Sequence, residues 1–200
     1  MFTGIIESIG KVLEVESTDG GKIFWIETEF FENDLKIGDS ISVNGACQTV
    51  TELRNNRNEF KIYSSYKTLE LTNLSELTKD SFVNLERAML MSTRLSGHLV
   101  SGHVDGKGHI VKSDIADGGK VFRFHLELDK QLLRYSIERG SITIDGISLT
   151  IVSIVGNQIE LVLIPETIEK TNARYWKNGT VLNIETDLIA KYIEKLTTER

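Results

Sequence analysis

From Phe122 to Asp129 the chain alternates strictly. Phe122, Phe124, Leu126 and Leu128 face one way and Arg123, His125, Glu127 and Asp129 the other, the period of a half-buried strand. Ile41 and Val43 alternate with Ser40 and Ser42 in the same manner. Residues 141–155 are apolar on both parities, which predicts a strand buried on both faces. Asp-Gly-Gly at 19–21 and at 117–119 predicts hairpin turns with positive φ. Short helices are predicted over Lys130–Arg139, ending at Gly140, and after Thr68 and Thr167. Ile189, Tyr192, Ile193 and Leu196 mark one face of a final helix, a stripe that either packs on its own domain or joins subunits.

The same pattern is written twice. Thr3-Gly4-Ile5-Ile6-Glu7 returns as Ser101-Gly102-His103-Val104-Asp105, and Asp19-Gly20-Gly21-Lys22 as Asp117-Gly118-Gly119-Lys120, both at an offset of 98. Asn44-Gly45-Ala46-Cys47-Gln48-Thr49-Val50 echoes Asp145-Gly146-Ile147-Ser148-Leu149-Thr150-Ile151 at 101. Thr68-Leu69 with Thr72-Asn73 echoes Thr167-Ile168 with Thr171-Asn172 at 99, and Asn84-Leu85-Glu86 returns as Asn183-Ile184-Glu185 at the same offset. Offsets that drift so little in one order mean a duplicated domain, not a short solenoid unit. The expected organisation is 1–88, a linker 89–97, 98–187, and a terminal helix over 188–200. With about six short strands per repeat, each unit reads as a small closed barrel with Greek-key connections. The fold class is all-β, two similar six-stranded barrels with short helices and a C-terminal α-helix.

Composition narrows the function classes. The 200 residues carry a net charge of −6, which disfavours nucleic-acid binding and attachment to anionic lipid. No apolar run is long enough to span a bilayer. The first ten residues hold Glu7 and no basic stretch, so a secretory signal is not expected. Cys47 is the only cysteine, which excludes an internal disulfide and fits a reducing cytoplasm.

Candidate chemistry follows the duplication. On an extended strand Cys47 and Thr49 project to one side, as do Ser148 and Thr150 at the matching place. A glycine two residues earlier, Gly45 or Gly146, lets a ligand or another backbone come close. Paired donors in two copies point to two matched small-molecule sites; the competing reading is that they satisfy backbone groups inside a barrel. Histidine as a residue type can move protons near neutral pH, so His98 and His103 are candidates for proton movement. His98, at the joint between repeats, reads as structural, whereas His103 occupies the slot of Ile5 and is the better functional candidate. With His109 they find no second ligand type at zinc-like spacing, so no metal site is expected. Pro165, the only proline, stops a strand and leads into a helix with Thr167 as N-cap, or places backbone along a flat pocket. Asp187 directly precedes the last helix and reads as its N-cap. No P-loop, dinucleotide fingerprint or Ser-His-Asp signature is present. An oligonucleotide-binding barrel would want a basic face and more than 8% aromatic residues.

Met1-Phe2-Thr3-Gly4-Ile5-Ile6, Asn44-Gly45-Ala46-Cys47-Gln48-Thr49-Val50, Gly97-His98-Leu99-Val100-Ser101-Gly102-His103, Asp145-Gly146-Ile147-Ser148-Leu149-Thr150 and Ile164-Pro165-Glu166-Thr167 together resemble the riboflavin synthase alpha chain family over nearly the whole length. That resemblance implies two six-stranded barrels and a homotrimer joined through the C-terminal helix. It also implies a dismutation of 6,7-dimethyl-8-ribityllumazine, one molecule giving a four-carbon unit to another. The products would be riboflavin and 5-amino-6-ribitylamino-uracil. Each barrel would hold one lumazine, and the productive site would join barrels of neighbouring subunits. No cofactor is implied, because the C7 methyl of the substrate is acidic through delocalisation into the ring. Some members work in a larger complex with lumazine synthase. By position, the first barrel's pocket would comprise Gly4, Ile5 and Ile6, Cys47, Gln48 and Thr49, Tyr63, Ser64, Ser65, Tyr66, Lys67 and Thr68, and Gly102, His103 and Val104. The second would comprise Arg139, Ser148, Leu149 and Thr150, and Val162, Leu163, Ile164, Pro165, Glu166 and Thr167. Ser148 and Thr150 would bind and polarise one ring, Cys47 would help activate the other, and His103 would transfer a proton with Asp187 in support. This chain departs from the family in Ala46, in Tyr66-Lys67 where a Glu is usual before Thr68, and in Arg139 where a lysine is common. The rival class is a non-catalytic lumazine carrier, which keeps the first pocket and loses much of the second; Ser148, Thr150 and Ile164-Pro165-Glu166-Thr167 favour the enzyme.

Overall fold

Each copy of the repeat closes on itself. A computed structural model describes residues 1–28, 34–54 and 58–198 and contains two closed antiparallel barrels. In the first, β1 (Ser8–Thr18), β2 (Gly21–Glu27), β3 (Ser40–Val43), β4 (Ala46–Arg54), β5 (Glu59–Ser65) and β6 (Phe82–Arg87) close in the order β1-β2-β5-β4-β3-β6. In the second, β7 (Gly106–Ala116), β8 (Val121–Glu127), β9 (Ser141–Ile144), β10 (Ile147–Val155), β11 (Gln158–Leu163) and β12 (Val181–Thr186) repeat it as β7-β8-β11-β10-β9-β12. Closure pairs every strand on both sides over at least part of its length.

Inward parity fills each barrel. Val12, Phe24, Ile26, Val50, Phe60 and Ile62 are fully buried in the first, and Ile110, Leu126, Ile151, Ile159 and Leu161 in the second. Each such side chain contributes about 1.5–3 kcal/mol by leaving water. The sharp bend that closure needs comes from bulges at matched places. They fall between Val12 and Glu14 in β1 and Ile110 and Lys112 in β7, then between Val50 and Glu52 in β4 and Ile151 and Ser153 in β10.

Local chemistry departs from expectation in several places. Residues 141–155 form a hairpin, not one strand: Asp145 (φ 47°) and Gly146 (φ 82°) make the turn between β9 and β10, as Asn44 (φ 46°) and Gly45 (φ 80°) do between β3 and β4. Inward packing on both sides of a two-residue turn mimics a continuous apolar run. Asp117, Gly118 and Gly119 take positive φ as expected, but Gly20 and Gly21 do not. Gly21 serves close approach instead, since a Cβ there would lie 2.1 Å from the Ser64 carbonyl oxygen. The helix expected over Lys130–Arg139 shrinks to α2 (Lys130–Leu133). The other short helices start before their threonines. In α1 (Tyr66–Leu71) Ser65 is the N-cap, accepting from Thr68 N, and α3 (Pro165–Lys170) is preceded by Ile164, so Thr167 is not an N-cap. Thr72 and Thr171 cap the turns that follow.

The barrels meet across an approximate twofold. Phe2 and Val100 pair antiparallel, with each N–H donating to the other's carbonyl at 2.8 and 3.1 Å. The two turns touch back to back, because a Cβ on Gly45 would lie 2.7 Å from Gly146 N. Around them Asn44, Asn73, Asn84, Asp145, Asn172 and Asn183 form a buried polar knot. Asn84 Nδ2 donates to the Asp145 carbonyl (2.8 Å), Asn183 Nδ2 to the Asn44 carbonyl (2.8 Å), and Asn73 N to Asn183 Oδ1 (2.6 Å).

Candidate functional site

A closed barrel has no free edge, yet the predicted site residues find one. The β4–β5 ladder runs from Arg54 opposite Glu59 to Val50 opposite Ile62 and then stops. Upstream of that point Cys47 pairs with Ser42 of β3, and its N–H donates to the Gly102 carbonyl at 2.7 Å. The second barrel splays at the same place. The β10–β11 ladder ends with Ile151 opposite Leu161, and Ser148 N donates to the Gly4 carbonyl at 2.8 Å. The stretch before each barrel therefore supplies the missing strand edge of the other barrel. The expectation that Gly4 to Ile6 complete the first barrel's pocket is corrected here. Gly4 lies on Ser148 and Ile6 packs on the second core, while Gly102 lies on Cys47 and Val104 packs on the first. The offset of 98 relates the two stretches in sequence but does not reveal that they exchange partners.

The first cleft carries Cys47, half-buried, and Thr49, exposed, on the outer face of β4, with Tyr63 (44% exposed) and Ser65 on the outer face of β5. Their neighbours point inward. Ser64 donates to Gln48 Oε1 at 2.7 Å and bridges the splay from inside. Leu149 and Leu163 hold those positions in the second barrel, so its inner bridge is apolar. Tyr66 is exposed, and Lys67 pairs with Glu70 at 2.8 Å on the surface of α1. His103 is exposed beside Gly102, its backbone N–H donating to Ser101 Oγ at 3.1 Å.

The second cleft is chemically richer. Ser148 Oγ lies 2.7 Å from His98 Nδ1, and His98 Nε2 lies 3.1 Å from Thr143 Oγ1. His98 thus links two hydroxyls, one ring nitrogen donating and the other accepting in its neutral form. Burial pushes the imidazole below its ordinary value, with Asp187 opposing that shift electrostatically. Its place at the joint suggests a structural role, and its contact with Ser148 also puts it beside a predicted site residue. Cys47 is a free, half-buried thiol at the matching place in the first cleft. Asp187 Oδ1 accepts from Ile189 N at 2.9 Å and caps α4 (Leu188–Thr198), as expected. Thr150, Val162 and Ile164 are exposed along the cleft, and Glu166 pairs with Lys170 at 2.7 Å. Arg139 adopts φ 65°, donating its N–H to the Ile151 carbonyl, where the first repeat has Gly38 donating to Val50. A left-handed arginine costs about 1 kcal/mol, and such strain clusters at functional sites.

Two buried carboxylates, matched in the repeat as Asn84-Leu85-Glu86 and Asn183-Ile184-Glu185, stand beside the leading stretches without any sign in the sequence that they do. Glu86 accepts from Thr3 N, Thr3 Oγ1 and Gly4 N at 2.6, 2.8 and 3.0 Å. Glu185 accepts from Ser101 N, Ser101 Oγ and Gly102 N at 2.7, 2.7 and 3.0 Å. Burial pushes both acids above their ordinary value despite these donors.

Neither cleft is an enclosed cavity. A cavity of about 640 Å³ lies beside the first repeat's N-terminal stretch, and of the predicted site residues only Ile5 borders it. The clefts present small polar groups among exposed apolar side chains, as one wall of a two-walled site would. On α4, Ile189, Tyr192, Ile193 and Leu196 are 53–71% exposed, so the stripe does not pack on its own barrel. The opposite face is tied down: Lys191 pairs with Asp105 at 2.6 Å and Glu194 with Arg134 and Tyr135. No helix among the described residues is long and apolar enough to cross a membrane.

The lumazine binding domain model matches residues 3–88 and again 101–187. The riboflavin synthase of Actinobacillus pleuropneumoniae is 41% identical over 200 residues, covering 100% of this chain and 91% of the relative. That of Bacillus subtilis is 39% identical over 193 residues, 96% of this chain and 88% of the relative, and that of Mycobacterium tuberculosis is 41% identical over 199 residues, 98% of each. Solved structures of LumP complexed with 6,7-dimethyl-8-(1'-D-ribityl) lumazine and with riboflavin superpose with TM-scores of 0.82 and 0.83. Both share 21% identity with this chain and cover 93% of it and 99% of LumP, a likeness of fold.

Proposed function

The chain belongs to the lumazine binding domain family, and from that premise we infer that it is a riboflavin synthase working in the cytoplasm. Two molecules of 6,7-dimethyl-8-ribityllumazine bind, one donates a four-carbon unit to the other, and riboflavin and 5-amino-6-ribitylamino-uracil leave. The observation that carries this reading is the matched pair of splayed clefts, each with a small thiol or hydroxyl beside the inserted backbone of the other repeat's leading stretch.

The reaction joins two like molecules, so holding their rings face to face is the main task. Placing both reactants in one frame is worth up to about 7–11 kcal/mol. Each cleft is open, and α4 exposes an apolar stripe on the same chain. A homotrimer assembled through α4 sets the first barrel of one subunit against the second barrel of its neighbour and closes the site. Ser148 and Thr150 bind and polarise one ring. His98 holds the Ser148 hydroxyl by accepting from it or donating to it as charge develops. Cys47 helps to activate the opposing ring, and His103, exposed at the cleft rim, exchanges the C7 methyl proton with solvent. Asp187 caps α4 and tempers the field at His98.

Purified protein mixed with the lumazine gains riboflavin's longer-wavelength absorbance. Binding without that change would favour a lumazine carrier, and no binding at all would refute both readings. Steady-state turnover of Cys47→Ser, His103→Gln and Ser148→Ala tests the roles; three near-normal rates with lumazine still bound would overturn them.

A further inference from the structure

Each cleft depends on a stretch of chain that its own barrel does not hold. Thr3 and Gly4 run along the second barrel's Ser148, while the carboxylate gripping them, Glu86, stands on β6 of the first barrel. Ser101 and Gly102 run along the first barrel's Cys47, and Glu185, which grips them, stands on β12 of the second. Both acids are nearly inaccessible, at 4% and 2% exposure. A buried carboxylate costs free energy, so its retention needs the three donors that each one collects. Those donors are two successive backbone N–H groups and one hydroxyl in both copies, and the hydroxyls in turn accept from Ile5 N (3.3 Å) and His103 N (3.1 Å). The grip is therefore on the path of the backbone at 3–5 and 101–103. Tolerance there is small. Gly4 and Gly102 have φ of 77° and 81°, and a Cβ on either would lie 2.6 Å from Ser148 Cβ or 2.7 Å from Cys47 Cβ.

We infer that Glu86 and Glu185 are crossed positioning residues: each sets the ligand geometry of the opposite barrel's cleft by fixing the backbone that walls it. Glu86 serves the Ser148 cleft and Glu185 serves the Cys47 cleft. The inference rests on the reading that both clefts hold lumazine. It makes the affinity of each half-site a property of the barrel pair, because neither barrel owns both the wall and the clamp.

Cys47, the only cysteine, provides a probe confined to one cleft. Full-length protein is exposed briefly to iodoacetamide at rising concentrations of 6,7-dimethyl-8-ribityllumazine, and the concentration giving half-protection of the thiol is read. Replacing the carboxylate by an amide sets an N–H donor against at least one of the N–H groups that the acid accepts from. Glu185→Gln is expected to raise that concentration about tenfold, while Glu86→Gln leaves it within about twofold. Equilibrium dialysis at about the wild-type Kd, where each wild-type cleft is half filled, should show each variant losing most of the ligand from one cleft and keeping it in the other. Such a loss with Cys47 still protected in Glu86→Gln is what a general loosening of the fold does not produce. If Glu185→Gln fails to fold, Ser101→Ala and Thr3→Ala decide, since each removes one hydroxyl bond; the first must shift Cys47 protection and the second must not. Equal shifts from both members of either pair, or none from the Glu185 or Ser101 variant, overturn the inference alone. Wild-type protein that neither gains protection nor forms riboflavin sinks the functional reading, and this inference with it.

Discussion

Asp145 is fully buried in the knot between the barrels, where its equivalent in the first repeat is the neutral Asn44. Asn183 N and Asn73 Nδ2 donate to its Oδ1 at 2.8 and 2.9 Å, and Asn172 Nδ2 to its Oδ2 at 2.9 Å. Those three bonds favour the ionised form, but burial outweighs them and raises its pKa from 3.8 to about 7. The folded protein thus keeps a proton that the unfolded chain releases between these values. Stability from this group is full below the unfolded pKa and is lost as pH rises toward the folded one. From about pH 4.5 to about pH 8 the loss amounts to about 3 kcal/mol, taking 1.36 kcal/mol per unit. Glu86 and Glu185 are shifted the same way, so wild type alone does not isolate Asp145. The difference in unfolding free energy between wild type and Asp145→Asn does. Urea titrations at several pH values should show wild type losing ground to the variant by about 3 kcal/mol across that window, near 1.5 M in midpoint at a slope of about 2 kcal/mol per M. The amide also turns a donor toward Asn172 Nδ2, whose own oxygen already accepts from Asn84 and Trp176, which adds a pH-independent cost of about 1–3 kcal/mol. A difference that stays flat with pH would refute the reasoning and mean that the three donors hold Asp145 ionised throughout.

Gly102→Ala combines a left-handed φ with a Cβ placed 2.7 Å from Cys47, so lumazine KM should rise at least about tenfold and stability should fall by about 1–2 kcal/mol in urea. Neutral His98 holds Ser148, and burial keeps it neutral below the ordinary histidine range. His98→Gln should therefore lower kcat about tenfold or more and remove the fall in kcat on the acid side; an unchanged pH–rate profile would detach His98 from the reaction. Deleting the chain from Leu188 onward takes away the exposed stripe of α4, and sedimentation should then show monomers with turnover lost but lumazine binding kept. Monomers of full activity would refute the shared site.

Much of the fold was legible because duplication and parity are properties of the chain itself. The strand through Phe122, Phe124 and Leu126, the final helix and the paired Cys47 and Ser148 positions all follow from spacing. What misled was local ambiguity. The apolar stretch 141–155 hides a hairpin, since Asp145-Gly146 turns without breaking inward packing on either side. Thr68 and Thr167 lie inside helices that Ser65 and Pro165 had already begun. Glu86 and Glu185 stood in the repeat in plain view, yet a glutamate on a strand carries no mark of burial until its partners, 82 to 84 residues away, are known.

By itself the sequence determined that there are two equivalent units, that each is a barrel with alternating faces, and which small nucleophilic or donor groups recur in both. Those features depend on neighbours along the chain and on a period of two. The family resemblance already implied that Gly102 to Val104 serve the first barrel; only the tertiary structure decided that Gly4 and Ile6 cross to the second, that His98 reaches Ser148, and that a lone carboxylate sits in the knot between turns. Such contacts join residues from about 40 to about 144 positions apart. Which copy of a repeated segment lies against which barrel is settled by packing at the twofold, where both pairings satisfy the same local pattern.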